Sequence, residues 1–428
     1  MTSTIRNIVT VIVLMFCMGC NSKKEVKTAD KTVMKKELTA KDILGNPEYV
    51  AISYGGYREK SREVQPTIAQ LKEDLKLMHA MGIRIIRTYN VQPKLPHAKN
   101  VLEAIHQLKK EHATFEMYVM LGAWIDCLNA WTDKAPNHEV ESEQNEGEIE
   151  RAVALANKYP DIVKIIAVGN EAMIRWAESY YVQPNVILKW VNHLQNLKKE
   201  GKLSKDLWIT SSDDFASWGG GDPSYRVKDL EALIRAVDYV SMHTYAYHNT
   251  HYNSEFWGVP AYEQGLSDQE KIDFAMIRSL NFAKTQYKNV SNYVKSIDSI
   301  KTIHIGETGW ASISDGQYGV PGSRASDEYK QGLYYKHLRE WTKEAGISCF
   351  YFEAFDEQWK DAANSEGSEN HFGLFTLKGE AKFPLWELVD NGTFKNLKRD
   401  GKTITKTFQG NKDALMKTVL VPNTEYPR

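Results

Sequence analysis

Sulfur holds little of this chain together: four cysteines are spread over 428 residues, and apart from Cys17 and Cys20 near the start no two of them stand close together. That spacing excludes a disulfide-dense scaffold and the common zinc ribbons. Charge of one sign is equally scarce, because 54 basic and 55 acidic side chains leave a net charge of -1. No field exists to gather nucleic acid or an acidic membrane surface. Neither GxGxxG nor GxxxxGK[ST] follows an apolar run, which removes the usual phosphate cradles. Trp218-Gly219-Gly220-Gly221-Asp222 has the glycines of such a cradle but no Lys-Ser/Thr opening a helix, and it reads as a flexible rim loop. Uninterrupted hydrophobic stretches of membrane-spanning length are missing as well.

The longest apolar run, Ile8 to Met18, follows Arg6 and precedes Gly19 and Cys20. Residues 1–19 therefore read as an export signal rather than a spanning helix. Phe16-Cys17-Met18-Gly19-Cys20 resembles a lipobox, which implies a bacterial lipoprotein acylated at Cys20 and held at the cell envelope, outer membrane or cell surface, by acyl chains alone. Residues 20–40, rich in Lys, Glu and Thr, read as a flexible tether. Cys127 and Cys349, both in apolar surroundings, are then expected to be buried free thiols.

What the chain does have is aromatic surface, with 11 Trp and 22 Tyr, and a regular alternation of short β-type runs with helical stretches. The runs are Tyr49–Tyr54, Ile83–Tyr89, Phe115–Leu121, Ile162–Val168, Leu207–Ser211, Asp238–His243, Thr302–Gly306 and Ile347–Phe352. Amphipathic segments such as Thr67–Met81, Asn185–Glu200 and Asp268–Ser296 separate them. Eight such units predict a single (β/α)8 barrel with loop insertions over residues 41–395, and a tail over 396–428 packed on or extending from it.

Two of the runs end on glutamate, in Val168-Gly169-Asn170-Glu171 and Ile303-His304-Ile305-Gly306-Glu307-Thr308-Gly309-Trp310. In a barrel, strand ends form one rim, and chemistry collects there. Two facing carboxylates are what glycosidic hydrolysis requires: one donates a proton to the departing oxygen while the other attacks the anomeric carbon. Glu171 is the candidate acid and later base, Glu307 the candidate nucleophile, and Asn170 the residue to hold a sugar hydroxyl. At or beyond other strand ends lie Tyr54, Tyr89, Trp124, Trp218, His243, Tyr245, Trp310, Glu353 and Asp356, candidates for binding a neutral saccharide. His243, His248 and His251 cluster without a spaced carboxylate or thiol partner, so no metal and no cofactor is expected.

These two motifs resemble the acid/base and nucleophile motifs of glycoside hydrolase family 17, with Ser53-Tyr54-Gly55 and Arg87-Thr88-Tyr89 also similar and Ala311 standing where the family usually has Pro. The resemblance spans residues 48–390 or so. It implies a retaining enzyme of β-1,3-glucan on a (β/α)8 barrel, a laminarin-degrading bacterial member, with Tyr245 donating to the nucleophile. A β-1,3-glucan transglycosylase and a non-catalytic glycan-binding lipoprotein are the alternatives.

Overall fold

A computed structural model describes residues 37–426; the export segment, Cys20 and most of the tether fall outside the described residues. Each expected β-type run forms a strand: β1 Val50–Ser53, β2 Ile83–Arg87, β3 Tyr118–Ala123, β4 Val163–Asn170, β5 Trp208–Asp214, β6 Val240–His243, β7 Ile303–Gly309 and β8 Cys349–Phe352. All eight are parallel and each pairs with its neighbours in the chain; Ile52 opposite Tyr351 closes the last strand onto the first. The result is a (β/α)8 barrel. Strands covered on both faces have no reason to alternate polar and apolar residues, and Val163 to Gly169 is buried without a break.

The barrel interior is filled rather than hollow. Ala51, Ile85, Met120, Ile165, Tyr239 and Phe350 form its lower layers together with Ala40, Ile43 and Leu44. The last three belong to and follow helix α1, Ala40–Ile43, whose Thr39–Asp42 capping box starts it. The domain thus begins at α1, a plug in the N-terminal mouth, one residue inside the expected tether.

The outer helices follow their sequence periodicity. The longest, Asp268–Ile297, starts at a capping box between Ser267 and Glu270 and buries Ile272, Met276, Ala283, Val290 and Val294 along one stripe. Residues after 396 pack on the barrel: a short hairpin, Lys398–Arg399 with Lys402–Thr403, sets Arg399 Nε 3.0 Å from the buried Asp74 carboxylate. Farther along, Asn423 N donates to Ser323 O at 3.1 Å.

The loop after β3 holds a second hairpin, Cys127–Leu128 with Asn137–Glu141, which rises beside the C-terminal rim. Among the described residues no helix is long and apolar enough to cross a membrane. Cys127 and Cys349 are free and buried, as expected.

Candidate active site

Glu171 and Glu307 stand just past β4 and near the end of β7. One carboxylate oxygen of each, with one imidazole nitrogen of His243, lies within 4.8 Å of the other two. This is the short separation at which a carboxylate can bond a sugar carbon directly, not the about 6.5–9.5 Å that leaves room for a water molecule.

The two acids live in different surroundings. Glu307 Oε2 accepts from Arg87 Nη1 at 2.7 Å and from the Tyr89 hydroxyl at 2.9 Å, while Oε1 accepts from the Tyr245 hydroxyl at 2.6 Å. Burial alone would raise its pKa; the Arg87 charge and the two phenols hold it below the usual range, and a charge on His243 lowers it further only where that ring is protonated. Glu171 has no such cation of its own. Burial and the nearby Glu307 charge push it up to about 8, so it keeps its proton at neutral pH.

His243 sits between them. Burial pushes its pKa down to about 4, so the ring is neutral near pH 7, and the charge that steadies Glu307 there is Arg87. Its Nε2 faces Arg87 Nη1 at 3.2 Å and Ser212 Oγ at 2.8 Å. A guanidinium can only donate, so Nε2 accepts, and Nδ1 carries the proton toward Glu171 Oε1 at 3.0 Å. Oε2 of Glu171 is left to hold the transferable proton.

Arg87 also donates to Gly306 O at 2.8 Å and, through Nη2, to Asn170 Oδ1. With Oδ1 occupied, the Asn170 amide offers its NH2 to the cleft. Gly306 has to be glycine: a Cβ there would meet Ser241 Oγ at 2.1 Å and Ser212 Oγ at 2.3 Å.

Above the pair opens a cleft of about 770 Å3, lined by side chains from β8 round to β4. Of the expected residues, Tyr54, Tyr89, Trp124, Asn170, Glu307 and Glu353 line it. Tyr54 also donates to Asp74 Oδ2 at 3.1 Å, and Glu353 is paired with Lys360, itself in the lining. His243 and Tyr245 bond the carboxylates from below and beside.

Four expectations fail. Trp218 is fully buried and donates from Nε1 to Ser241 O at 3.0 Å, so its ring is core and meets no ligand. Its glycine neighbours form no flexible rim loop: Gly219, at φ +78°, lies under Tyr293, whose ring a Cβ would strike at 2.3 Å. Trp310, fully buried, packs on Trp257, Tyr247 and Tyr334 and donates to Ala325 O. Asp356 is buried off the cleft, where Oδ1 accepts from Lys382 Nζ at 2.7 Å and from Gly373 N at 2.9 Å; it ties down the loop after β8.

Among the other lining residues, Tyr57, Trp131, Tyr180, Lys360 and Glu369 were not singled out in the sequence. Arg87, named in the sequence only within Arg87-Thr88-Tyr89 and given no role there, had the clearest signal: a cation closing a strand that is apolar but for Arg84, which has to be paired with an anion once buried. A metal ion has three donors within reach in Glu171, His243 and Glu307. Arg87 already brings a fixed positive charge against two of them, and that opposes a cation there.

A closed parallel barrel with an acid kept protonated beside an acid kept ionised at its C-terminal rim defines the class of barrel glycoside hydrolases. The chain belongs to the BtgE/BtgC glycoside hydrolase domain family, whose model matches residues 51–373. This agrees with the family-17 resemblance of the motifs. The chain is 64% identical to an endo-laminarinase from Formosa Hel1_33_131 whose crystal structure covers 91% of this chain and 100% of that one, at a TM-score of 0.89. It is 26% identical over 231 residues to a glucan 1,3-beta-glucosidase of Arthroderma benhamiae, covering 52% of this chain and 61% of that protein. A putative glucan endo-1,3-beta-glucosidase btgC of Aspergillus niger matches at 26% over 316 residues, 71% of this chain. The chain spans 61% and 37% of the lengths of these two curated relatives.

Proposed function

We propose that this chain hydrolyses β-1,3-glucan of the laminarin type with retention of anomeric configuration, acting within the polymer. The observation that carries this reading is a pair of carboxyls within 4.8 Å of which one, Glu307, is held by Arg87 and two phenols while the other is not. The laminarinase and glucan glucosidase names of its relatives support the choice of glucan.

In the first step a Glu307 carboxylate oxygen bonds the anomeric carbon as the bond from that carbon to the linking oxygen breaks, and the Glu171 proton passes to that oxygen. The shorter chain leaves as an alcohol and the sugar stays esterified to Glu307. In the second step the ionised Glu171 takes a proton from water while the water oxygen bonds the same carbon; the ester breaks and both carboxyls return to their starting state. Asn170 holds the hydroxyl next to the reacting carbon, where a hydrogen bond tightens as positive charge develops. Arg87, Tyr89 and Tyr245 fix the nucleophile's position rather than the sugar's.

Incubating the purified protein with laminarin, lichenan and mannan tests this. Laminarin is cut to β-configured products seen first by proton NMR, and Glu307→Ala abolishes hydrolysis while glucan binding persists. Activity that survives Glu307→Ala refutes the assignment, and products longer than the substrate would mark transfer to a sugar hydroxyl instead of water. The pattern of residues 1–20 supports placing the enzyme outside the cytoplasm, anchored through an acylated Cys20.

A further inference from the structure

The cleft carries a tryptophan that the hydrophobic core does not use. Trp131 stands in the turn of the hairpin that follows β3, is 62% exposed and lines the cleft. Its backbone lies in the left-handed region at φ 61°, which is strained for a bulky side chain, two residues after Asn129, which takes that region readily, at φ 66°. A large apolar ring held in water on a strained turn costs stability twice over and adds no core.

The turn is nevertheless tied down. Asn129 Nδ2 donates to Ala135 O at 3.1 Å, and Thr132 Oγ1 donates to Asn129 O at 2.8 Å. At the hairpin's foot the buried Asn145 accepts from Asp126 N at 3.1 Å and donates to Asp126 O at 2.9 Å, while the Asp126 carboxylate accepts from Trp124 Nε1 at 3.3 Å. One face of the Trp131 ring stacks on Tyr180, with centroids 5.0 Å apart and planes at 22°. The other face is left to solvent.

Position gives the ring its role. Tyr180 lies on the loop that leaves β4 after Glu171, and the bond from Val182 N to Ala172 O at 2.7 Å folds that loop back to the end of β4 that carries the acid. Trp124 packs on Tyr180 at 5.2 Å, and Trp131, exposed where those two are half-buried, is the most open of the three. The opposite wall of the cleft, Tyr57 and Trp359, comes from β1 and β8. Since Glu171 protonates the departing oxygen, the departing chain lies on the Glu171 side, toward Tyr180.

Given the hydrolase reading above, the geometry points to Trp131 as a specificity-determining platform for the second sugar on the departing side, so that cuts releasing two or more sugars are favoured over cuts releasing one. Pyranose C–H faces stack on such a ring, and because the ring is already fixed, no ordering cost opposes binding. The sugar nearest the cut would rest by Tyr180 and Trp124, and the next would reach Trp131.

Laminarihexaose labelled with 18O at its reducing end reports which bond breaks. In the Trp131→Ala variant the ratio of cuts releasing two or more sugars to cuts releasing one falls roughly ten-fold, and Trp131→Phe restores most of it. An unchanged ratio overturns the inference, as does a shift in the opposite sense, which would put the platform on the retained side. A wild-type chain that leaves the hexaose intact overturns the hydrolase reading itself, an outcome distinct from any effect of Trp131.

Discussion

Tyr245→Phe removes one hydroxyl and changes almost nothing else. The ring contacts with His248 and Phe372 survive, and only the 2.6 Å hydrogen bond to Glu307 Oε1 is lost. A hydrogen bond to a charged group contributes about 1.5–3 kcal/mol, and one pKa unit corresponds to about 1.36 kcal/mol, so the Glu307 carboxyl should rise by roughly 1–2 units. Glu307 works ionised, and its pKa is held below the ordinary value; activity is present above that pKa and is lost as pH falls through it. The variant should therefore lose kcat/KM at a higher pH on the acid side. The basic limb, where Glu171 gives up its proton near pH 8, should stay in place, because Glu307 is fully ionised there in both proteins. A kcat/KM profile on an aryl β-laminaribioside from about pH 3 to about pH 10 reads both limbs, whose apparent values belong to the pair. If kcat/KM drops by one factor at every pH and the acid limb does not move, the phenol does not stabilise the ionised nucleophile and the reasoning fails.

Glu171→Gln should lose hydrolysis and gain stability. The carboxyl has a folded value of about 8 against 4.5 when free; below 4.5 both states hold the proton, and between the two values the folded state keeps a proton that the unfolded state releases, so stability falls as pH rises. Melting temperatures at acid and alkaline pH should differ from wild type by almost nothing at about pH 4 and by roughly 6 °C at about pH 9; an equal difference at both ends would contradict the raised pKa. Cys20→Ala should abolish incorporation of labelled palmitate into the protein expressed in a bacterial host, and labelling that persists in this variant would remove the lipid anchor.

The barrel was legible because its strands are buried on both faces: runs such as Ile83-Arg84-Ile85-Ile86 and Ile162 to Val168 cannot be surface helices, and their number and spacing leave few architectures. The paired glutamates were legible for the same reason, since strand ends fix a rim. Where the side chains beyond those ends point was not. β5 runs on to Asp214 and the following turn folds inward, which takes Trp218 under the barrel wall; β7 ends at Gly309 and the chain turns Trp310 between the outer helices. Alternation of faces stops with the strand, so nothing periodic tells a rim aromatic from a core one. The hairpin after β3 was hidden by its own composition, since Asn137-His138-Glu139-Val140-Glu141 is mostly exposed and reads as loop.

Arg87 explains why so much of the site could be placed without knowing the loops. From the end of β2 its guanidinium reaches Asn170 on β4, the His243 ring on β6, and both Gly306 O and Glu307 on β7. One planar cation with fixed donor directions thus ties four strands of the barrel at the level of the carboxylates. The distance between the acid and the nucleophile is then a property of strand pairing, which the core determines, and not of the loops above it. Loops such as the Trp131 hairpin are free to differ in length and aromatic content, altering which chains bind, while the 4.8 Å triangle of Glu171, His243 and Glu307 stays where the strands put it.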